Sequence, residues 1–270
     1  MRDSIHSLSS LSSLRLVEAD RLLLHEAREP ARLAALQKSI EAEGVQSHPV
    51  IAAPQGDDYL VLDGAHRVGA ISGLGCRLVL VQSVEPPAEA ESWTHVLEAP
   101  GVPEKLTGRL RSLEPEMEGV ELARGARCGG ELPLGVLAAV ETGEGCLALG
   151  AVGSLAEQAR ALWTLQEAYP DVAVRRVVPG EPVEPSENRV AVYYRRFSLA
   201  GLAEVVRGGG TLPAGITRFR VPERVLGVRF PLDHMRGGAS EGNAELGRFV
   251  ENLLQRGRVR RYDEPVLLFE

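Results

Sequence analysis

The chain has 270 residues, 44% hydrophobic and 25% charged, with a formal net charge of −7. That length can bury one large core or two modest ones, and the balance is that of a globular protein. The acidic excess opposes long-range attraction to a polyanion, whereas sequence-independent nucleic-acid binding rests on a basic excess; no nucleic-acid partner is expected. The apolar runs, such as residues 79–81 and 266–269, are strand-sized and far below the roughly 20 residues of a membrane helix. The N-terminus, Met1-Arg2-Asp3-Ser4, lacks the combination of basic start, apolar middle and small-residue cleavage site that makes a signal peptide, so a cytoplasmic location is expected, without a membrane partner. Cys76, Cys128 and Cys146 are odd in number and share no CxxC spacing. That argues against a disulfide framework or a zinc site, and each is expected to be a buried small hydrophobe.

Residues 7–13 form a polar Ser/Leu stretch that reads as a frayed arm, and residues 14–17 read as a short strand. Pro30 suits a first helical turn, where its missing N–H costs nothing. Leu33, Leu36 and Ile40 then recur at helical spacing over 31–43, and Gly44 stops the helix. Pro49 opens a strand over 48–53, a turn follows at 55–58, and 59–62 returns as its partner. Residues 66–74 read as a helix ended by Gly75, and 77–84 as a strand. The order strand, helix, strand, strand, helix, strand describes a compact α+β unit. Pro100, Gly101 and Pro103 mark a boundary, dividing the chain into 1–102 and 103–270. Beyond it, strands are expected at 134–140 and 146–152 around a turn at 141–145. Ser154 caps a helix to 169. Strands follow at 172–178 and 190–194, a helix at 199–208, a strand at 216–221, a helix at 241–256 and a closing strand region at 258–270. The fold class expected is α/β (α+β), with a strand-rich C-terminal half.

Chemistry concentrates at Asp63-Gly64-Ala65-His66-Arg67. A strand ends, small residues turn, and a helix begins. Helix N-termini expose unpaired N–H groups and partial positive charge, which attract phosphate. Gly64 and Ala65 leave room for an oxyanion, and His66 and Arg67 add side-chain donors. Asp63 reads equally as an ordinary helix cap.

Context sharpens this reading. A strand near Leu16, the segment Leu24-His25-Glu26, a helix ending at Gly44, His48-Pro49-Val50 and then Asp63–Arg67 resemble the ParB/sulfiredoxin-like domain over about 70 residues. In that superfamily the turn holds nucleotide phosphates. The sulfiredoxin branch needs a cysteine in the turn, where Ala65 stands. The chromosome-partitioning branch continues into a basic helix-turn-helix segment, whereas this chain is acidic and strand-rich. The free L-serine kinases of this fold are similar over both halves, including Gly215-Ile216-Thr217-Arg218-Phe219. That resemblance implies phosphoryl transfer from ADP or ATP to L-serine with Mg²⁺.

It implies Glu26 as general base, with Glu29 as the fallback; otherwise Glu26 is a surface carboxylate. Asp63 is expected to contact serine or Mg²⁺. Lys38, one of only two lysines, stands near the phosphates in the family pattern, or else on a solvated helix face. His66 and Arg67 are expected on the phosphates. Trp93 closes the substrate pocket or packs between domains. Thr217 and Arg218 bind the serine carboxylate or the transferred phosphate, or Arg218 is an exposed strand residue. The competing function is a nucleotide-sensing regulator that keeps the phosphate turn without a base; a DNA-binding or nuclease function ranks behind it.

Overall fold

The computed structural model describes residues 9–85, 88–113, 122–125, 132–151 and 153–261. The elements of the first part are α1 (Ser9–Ser12), β1 (Leu14–Glu18), β2 (Leu22–Leu24), α2 (Pro30–Glu43), β3 (Val45–Gln46), β4 (Val50–Gln55), β5 (Asp58–Asp63), α3 (Ala65–Gly73) and β6 (Leu78–Ser83). Five strands form one mixed sheet in the order β1-β6-β4-β5-β2. The outer β1–β6 pair and the β4–β5 hairpin are antiparallel, while β6–β4 and β5–β2 are parallel. Side chains alternate across a strand, so Val50, Ala52 and Val61 enter one hydrophobic cluster while Ile51, Ala53, Leu60 and Leu62 enter another. Burial on both faces is why these strands read as continuous apolar runs. The helix punctuation falls as its chemistry requires. Pro30 occupies the first turn of α2, and Gly44, at φ 65°, closes it with its N–H on the carbonyls of Ile40 and Glu41.

The second part comprises β7 (Glu89–Ser92), β8 (Thr94–Glu98), α4 (Val102–Leu113), β9 (Leu122–Gly125), β10 (Val136–Thr142), β11 (Gly145–Gly150), α5 (Leu155–Glu167), β12 (Val174–Val177), β13 (Arg189–Tyr194), β14 (Phe197–Ser198), α6 (Leu199–Arg207), β15 (Thr217–Arg218), β16 (Phe230–Pro231) and α7 (Ala239–Gln255). A six-stranded antiparallel sheet runs β12-β8-β13-β10-β11-β9, and β7 pairs with both β14 and β15. Ser154 and Glu157 close a reciprocal capping box at the start of α5, which satisfies two otherwise orphaned N–H groups.

Several expectations change. Two segments cross the boundary expected at 102/103. Strand β8 lies before it yet pairs within the six-stranded sheet. The chain after Val225 returns to the first sheet, where β16 pairs with β3 and Phe230, Leu232, Met235 and Leu246 join the cluster of Val50 and Leu78. Gly242 makes that return possible: a Cβ there would fall 2.8 Å from Leu16 and 2.9 Å from Leu78. Residues 102–113 form α4, because Pro103 fits a first helical turn and does not end the element. The strand expected at 216–221 is only the two residues of β15. Residues 258–261 carry no strand, and 262–270 lie outside the described residues. Cys76 is free and buried, whereas Cys146, also buried, is engaged in a disulfide against expectation; Cys128 lies outside the described residues. Among the described residues no helix is long and apolar enough to cross a membrane.

Candidate active site

The turn between β5 and α3 is built around a glycine. Gly64 is the residue before the helix, at φ 105° and ψ 24°, and α3 has no side-chain cap. The Arg67 guanidinium folds back over it, so a Cβ at Gly64 would lie 3.0 Å from Nε and Nη2. Arg67 donates to the Pro49 carbonyl at 3.0 Å and pairs with Asp63 Oδ2 at 3.4 Å. Asp63 therefore does not cap the helix. It faces Arg67 and, at 2.5 Å on the same oxygen, Arg224. Burial works against its charged form, but Arg67 and Arg224 outweigh this and hold the carboxyl below its ordinary range. Both contacts fall on Oδ2, which leaves Oδ1 open.

His66 turns the other way. Its Nε2 accepts the Glu29 N–H at 2.9 Å, so the remaining proton belongs on Nδ1. Burial, then the neighbouring Arg32, Arg28 and Arg176, lower its pKa against the opposing pull of Glu29. The imidazole is thus a neutral donor beside a helix N-terminus whose first N–H groups have no partner within the helix. Among the described residues, Arg28, Arg32 and Arg176 make no ion pair or hydrogen bond. Several other guanidinium groups are neutralised, as in Arg189–Glu98 at 2.7 Å and Arg229–Glu43 at 3.2 Å. A net −7 chain that gathers three unpaired arginines around one neutral histidine is arranged for an anion.

Glu26 stands apart from the turn, in its own set of contacts. It follows β2 and bridges to Leu212: the Leu212 N–H donates to the His25 carbonyl at 2.7 Å, and the Ala27 N–H to the Leu212 carbonyl at 2.9 Å. Its carboxylate is clasped by the turn before β15. Oε1 accepts from the Thr217 N–H at 2.7 Å and the Thr217 hydroxyl at 2.6 Å, and Oε2 from the Gly215 N–H at 2.9 Å. Gly215 sits at φ 77°, in the left-handed region that a side chain disfavours. Two buried histidines support the clasp. His25 Nε2 lies 2.7 Å from the Thr217 hydroxyl, and burial lowers its pKa against the pull of Glu26. His95 Nε2 lies 2.7 Å from the Gly215 carbonyl, and its Nδ1 faces the hydroxyls of Tyr169 at 3.2 Å and Tyr194 at 3.1 Å. Burial pushes the His95 pKa down to about 4, so the neutral ring donates from Nε2 and accepts at Nδ1.

The other candidate residues divide. Trp93 and Arg218 come together: the Trp93 N–H donates to the Ile216 carbonyl at 2.9 Å, and the Arg218 guanidinium lies 5.2 Å from the indole centroid. Arg218 also pairs with Glu91, which binds Arg220 at 3.0 Å as well. Thr217 and Arg218 are thus engaged within the chain, Thr217 with Glu26 and Arg218 with Glu91. Ala65 opens α3 beside Gly64. Lys38 is exposed on α2, roughly 12 Å along the axis from Pro30 at 1.5 Å per residue, and is not drawn into the cluster. The cations around the turn that sequence reasoning passed over are Arg28, Arg32, Arg176 and Arg224. Arg28 and Arg32 flank Pro30 at a four-residue spacing on one side of a helix start, which was a usable signal; Arg176 and Arg224 arrive only through tertiary contacts. Two cavities open away from these residues. One cavity of about 440 Å³ opens beside Glu104, Glu144 and Glu187, and another of about 470 Å³ beside Glu41 and Arg236.

No protein-family model matches the chain. In fold, it is similar to SbnI with a C-terminal truncation from Staphylococcus aureus, at a TM-score of 0.72 and 24% identity over 91% of this chain and 98% of that one. A free serine kinase in complex with AMP aligns at a TM-score of 0.60 and 18% identity, over 83% of this chain and 93% of the other. The architecture is therefore one that serine kinases use. Two curated relatives are more specific. The ATP-dependent L-serine kinase SbnI of Staphylococcus aureus is 28% identical over 262 residues, 95% of this chain and 97% of the relative. The ATP-dependent L-serine kinase of Staphylothermus marinus is 44% identical over 66 residues, 24% of this chain and 26% of the relative.

Proposed function

We propose that the chain transfers a phosphoryl group from ATP to free L-serine, giving O-phospho-L-serine. The observation that carries this reading is the pairing of an anion-seeking turn with a clasped carboxylate: Arg28, Arg32 and Arg176 stand unpaired around neutral His66, and Glu26 is held in the Gly215–Thr217 clasp, on which the Arg176 guanidinium lies. The full-length similarity to an ATP-dependent L-serine kinase supports the choice of acceptor and donor.

The roles follow from the contacts. The first-turn N–H groups of α3, His66 Nδ1–H, Arg28 and Arg32 take the nucleotide phosphates. Glu26 accepts the serine hydroxyl proton. An ionised carboxylate offers about four lone-pair sites, and Oε2 uses one on Gly215, so a position remains for the hydroxyl. The serine oxygen then bonds to the terminal phosphorus as the bond to the ADP oxygen breaks. Trp93 and Arg218 wall the acceptor side, where the serine carboxylate competes with Glu91 for the guanidinium. Mg²⁺ chemistry fits one carboxylate plus phosphate oxygens, and Asp63 Oδ1 is the open oxygen that would hold the ion; when bound it would neutralise phosphate charge. Lys38 stays outside this assignment. Neither nucleic acid nor membrane has a role in it.

The test is direct. The protein is incubated with Mg²⁺, L-serine and either ATP or ADP, and O-phospho-L-serine is sought by phosphorus NMR. Product with ATP is expected. Nucleotide binding without product from either donor would sink the kinase reading and favour a nucleotide-sensing regulator.

A further inference from the structure

Strand β12 carries two consecutive arginines with different fates. Neighbouring residues on a strand point to opposite faces. Arg175 pairs with Glu181 at 3.8 Å. Arg176 lies on the other face, directly opposite His95 of β8, and cross-strand partners share a face. Both side chains meet the same residue. His95 takes the Gly215 carbonyl at 2.7 Å, and the Arg176 guanidinium lies against the Gly215 Cα, where a Cβ would fall 2.2 Å from Cζ. The missing side chain at Gly215 is what lets the guanidinium approach the clasp that holds Glu26. On its other side, the same charge reaches His66.

Resting on the kinase reading above, we propose that Arg176 is a catalytic residue: it extends from the second sheet to the transferring phosphoryl group and stabilises the charge that develops there. Three observations converge. Arg176 has no partner among the described residues. Its guanidinium lies on Gly215, which holds Glu26, and its charge also acts on His66. It also differs in position from Arg28 and Arg32. Arg28 packs on α3, where a Cβ at Gly69 would lie 2.5 Å from its Nη1, and Arg32 belongs to α2, so both come from the sheet that carries the phosphate turn and not from the second sheet. Between serine and donor, the Oγ–P bond forms, the P–O bond to ADP breaks and the proton passes to Glu26. The equatorial oxygens carry the charge that a planar guanidinium fork matches and a lysine ammonium does not.

The test uses Arg176→Ala and Arg176→Lys in the full chain. Arginines that act on a transferring phosphoryl group are worth about 10³–10⁵ in kcat, so Arg176→Ala is expected to lose at least about 10³-fold in phosphoserine turnover. Calorimetric ATP affinity is expected to change less than about threefold, the pattern of an interaction made only in the transition state. Arg176→Lys should remain impaired, and added guanidinium ion should restore part of the Arg176→Ala turnover, which a merely structural role would not allow. Arg176 is exposed, and unchanged melting curves confirm that both variants fold. A wild type that forms phosphoserine alongside an equally active Arg176→Ala would overturn the inference while leaving the kinase standing. Loss of ATP affinity at unchanged kcat would also overturn it, making Arg176 a ground-state contact. A wild type that forms no phosphoserine would remove the kinase reading and this role with it.

Discussion

Replacing Glu26 by glutamine changes one oxygen into an amide nitrogen, and the clasp makes that change costly. In the better of the two orientations the remaining oxygen keeps both bonds from Thr217, and the new NH₂ faces the Gly215 N–H. One charge-assisted hydrogen bond, worth about 1.5–3 kcal/mol, is lost, and a partly buried N–H is left opposite another donor. Net destabilisation of about 2–4 kcal/mol follows, and at some 2–4 °C per kcal/mol for domains of 150–250 residues the melting temperature should drop by about 4–16 °C. Separately, removing the base should lower kcat for phosphoserine formation about 10²–10⁴-fold. ATP affinity should hold, because the phosphates meet α3 and not the clasp. Calorimetric melting, nucleotide titration and turnover on one preparation separate these effects. Full turnover in Glu26→Gln would move the base elsewhere, to Glu29 or Asp63. An unchanged melting temperature would refute the three-bond clasp.

Two further perturbations probe the two sides of the site. Gly64→Ala places a side chain at φ 105°, at about 1–3 kcal/mol of strain, and pushes against Arg67; ATP affinity measured by calorimetry should fall, and full affinity would remove the turn from the phosphate site. Stability should also depend on pH through His95. Its folded pKa of about 4 lies below the unfolded value near 6.5, so the unfolded chain takes up the proton first as pH falls. The contribution is complete above pH 6.5 and is lost between there and pH 4, amounting to about 2 kcal/mol between pH 7.5 and 5. Urea unfolding at the two pH values should show at least that loss, reduced by the same amount in His95→Gln; an equal loss in both would reject the buried neutral histidine.

Short-range chemistry was legible in the sequence wherever one residue decides a local conformation. Pro30 and Gly44 delimit α2, Ser154 caps α5, and the apolar runs around Val50 and Leu60 announce a hairpin, whose burial on both faces the fold then shows. The run Asp63–Arg67 marks the phosphate turn because a strand end, a glycine and a helix start are contiguous. Even there, side-chain direction was decided by distant groups: Asp63 serves Arg224, 161 residues away, instead of the helix. Strands of two to four residues, β3, β14 and β15 among them, carry too few residues for any periodicity and exist because a neighbour supplies their hydrogen bonds. The clasp joins Glu26 to Gly215 across 189 residues, and Arg176 reaches it from a strand whose sequence reads as exposed. Local sequence sets backbone preference through sterics and hydrogen bonds between near neighbours. Which charges end up facing one another is set by how the two sheets pack, and that is why the turn was readable in the sequence while its arginines were found only in the fold.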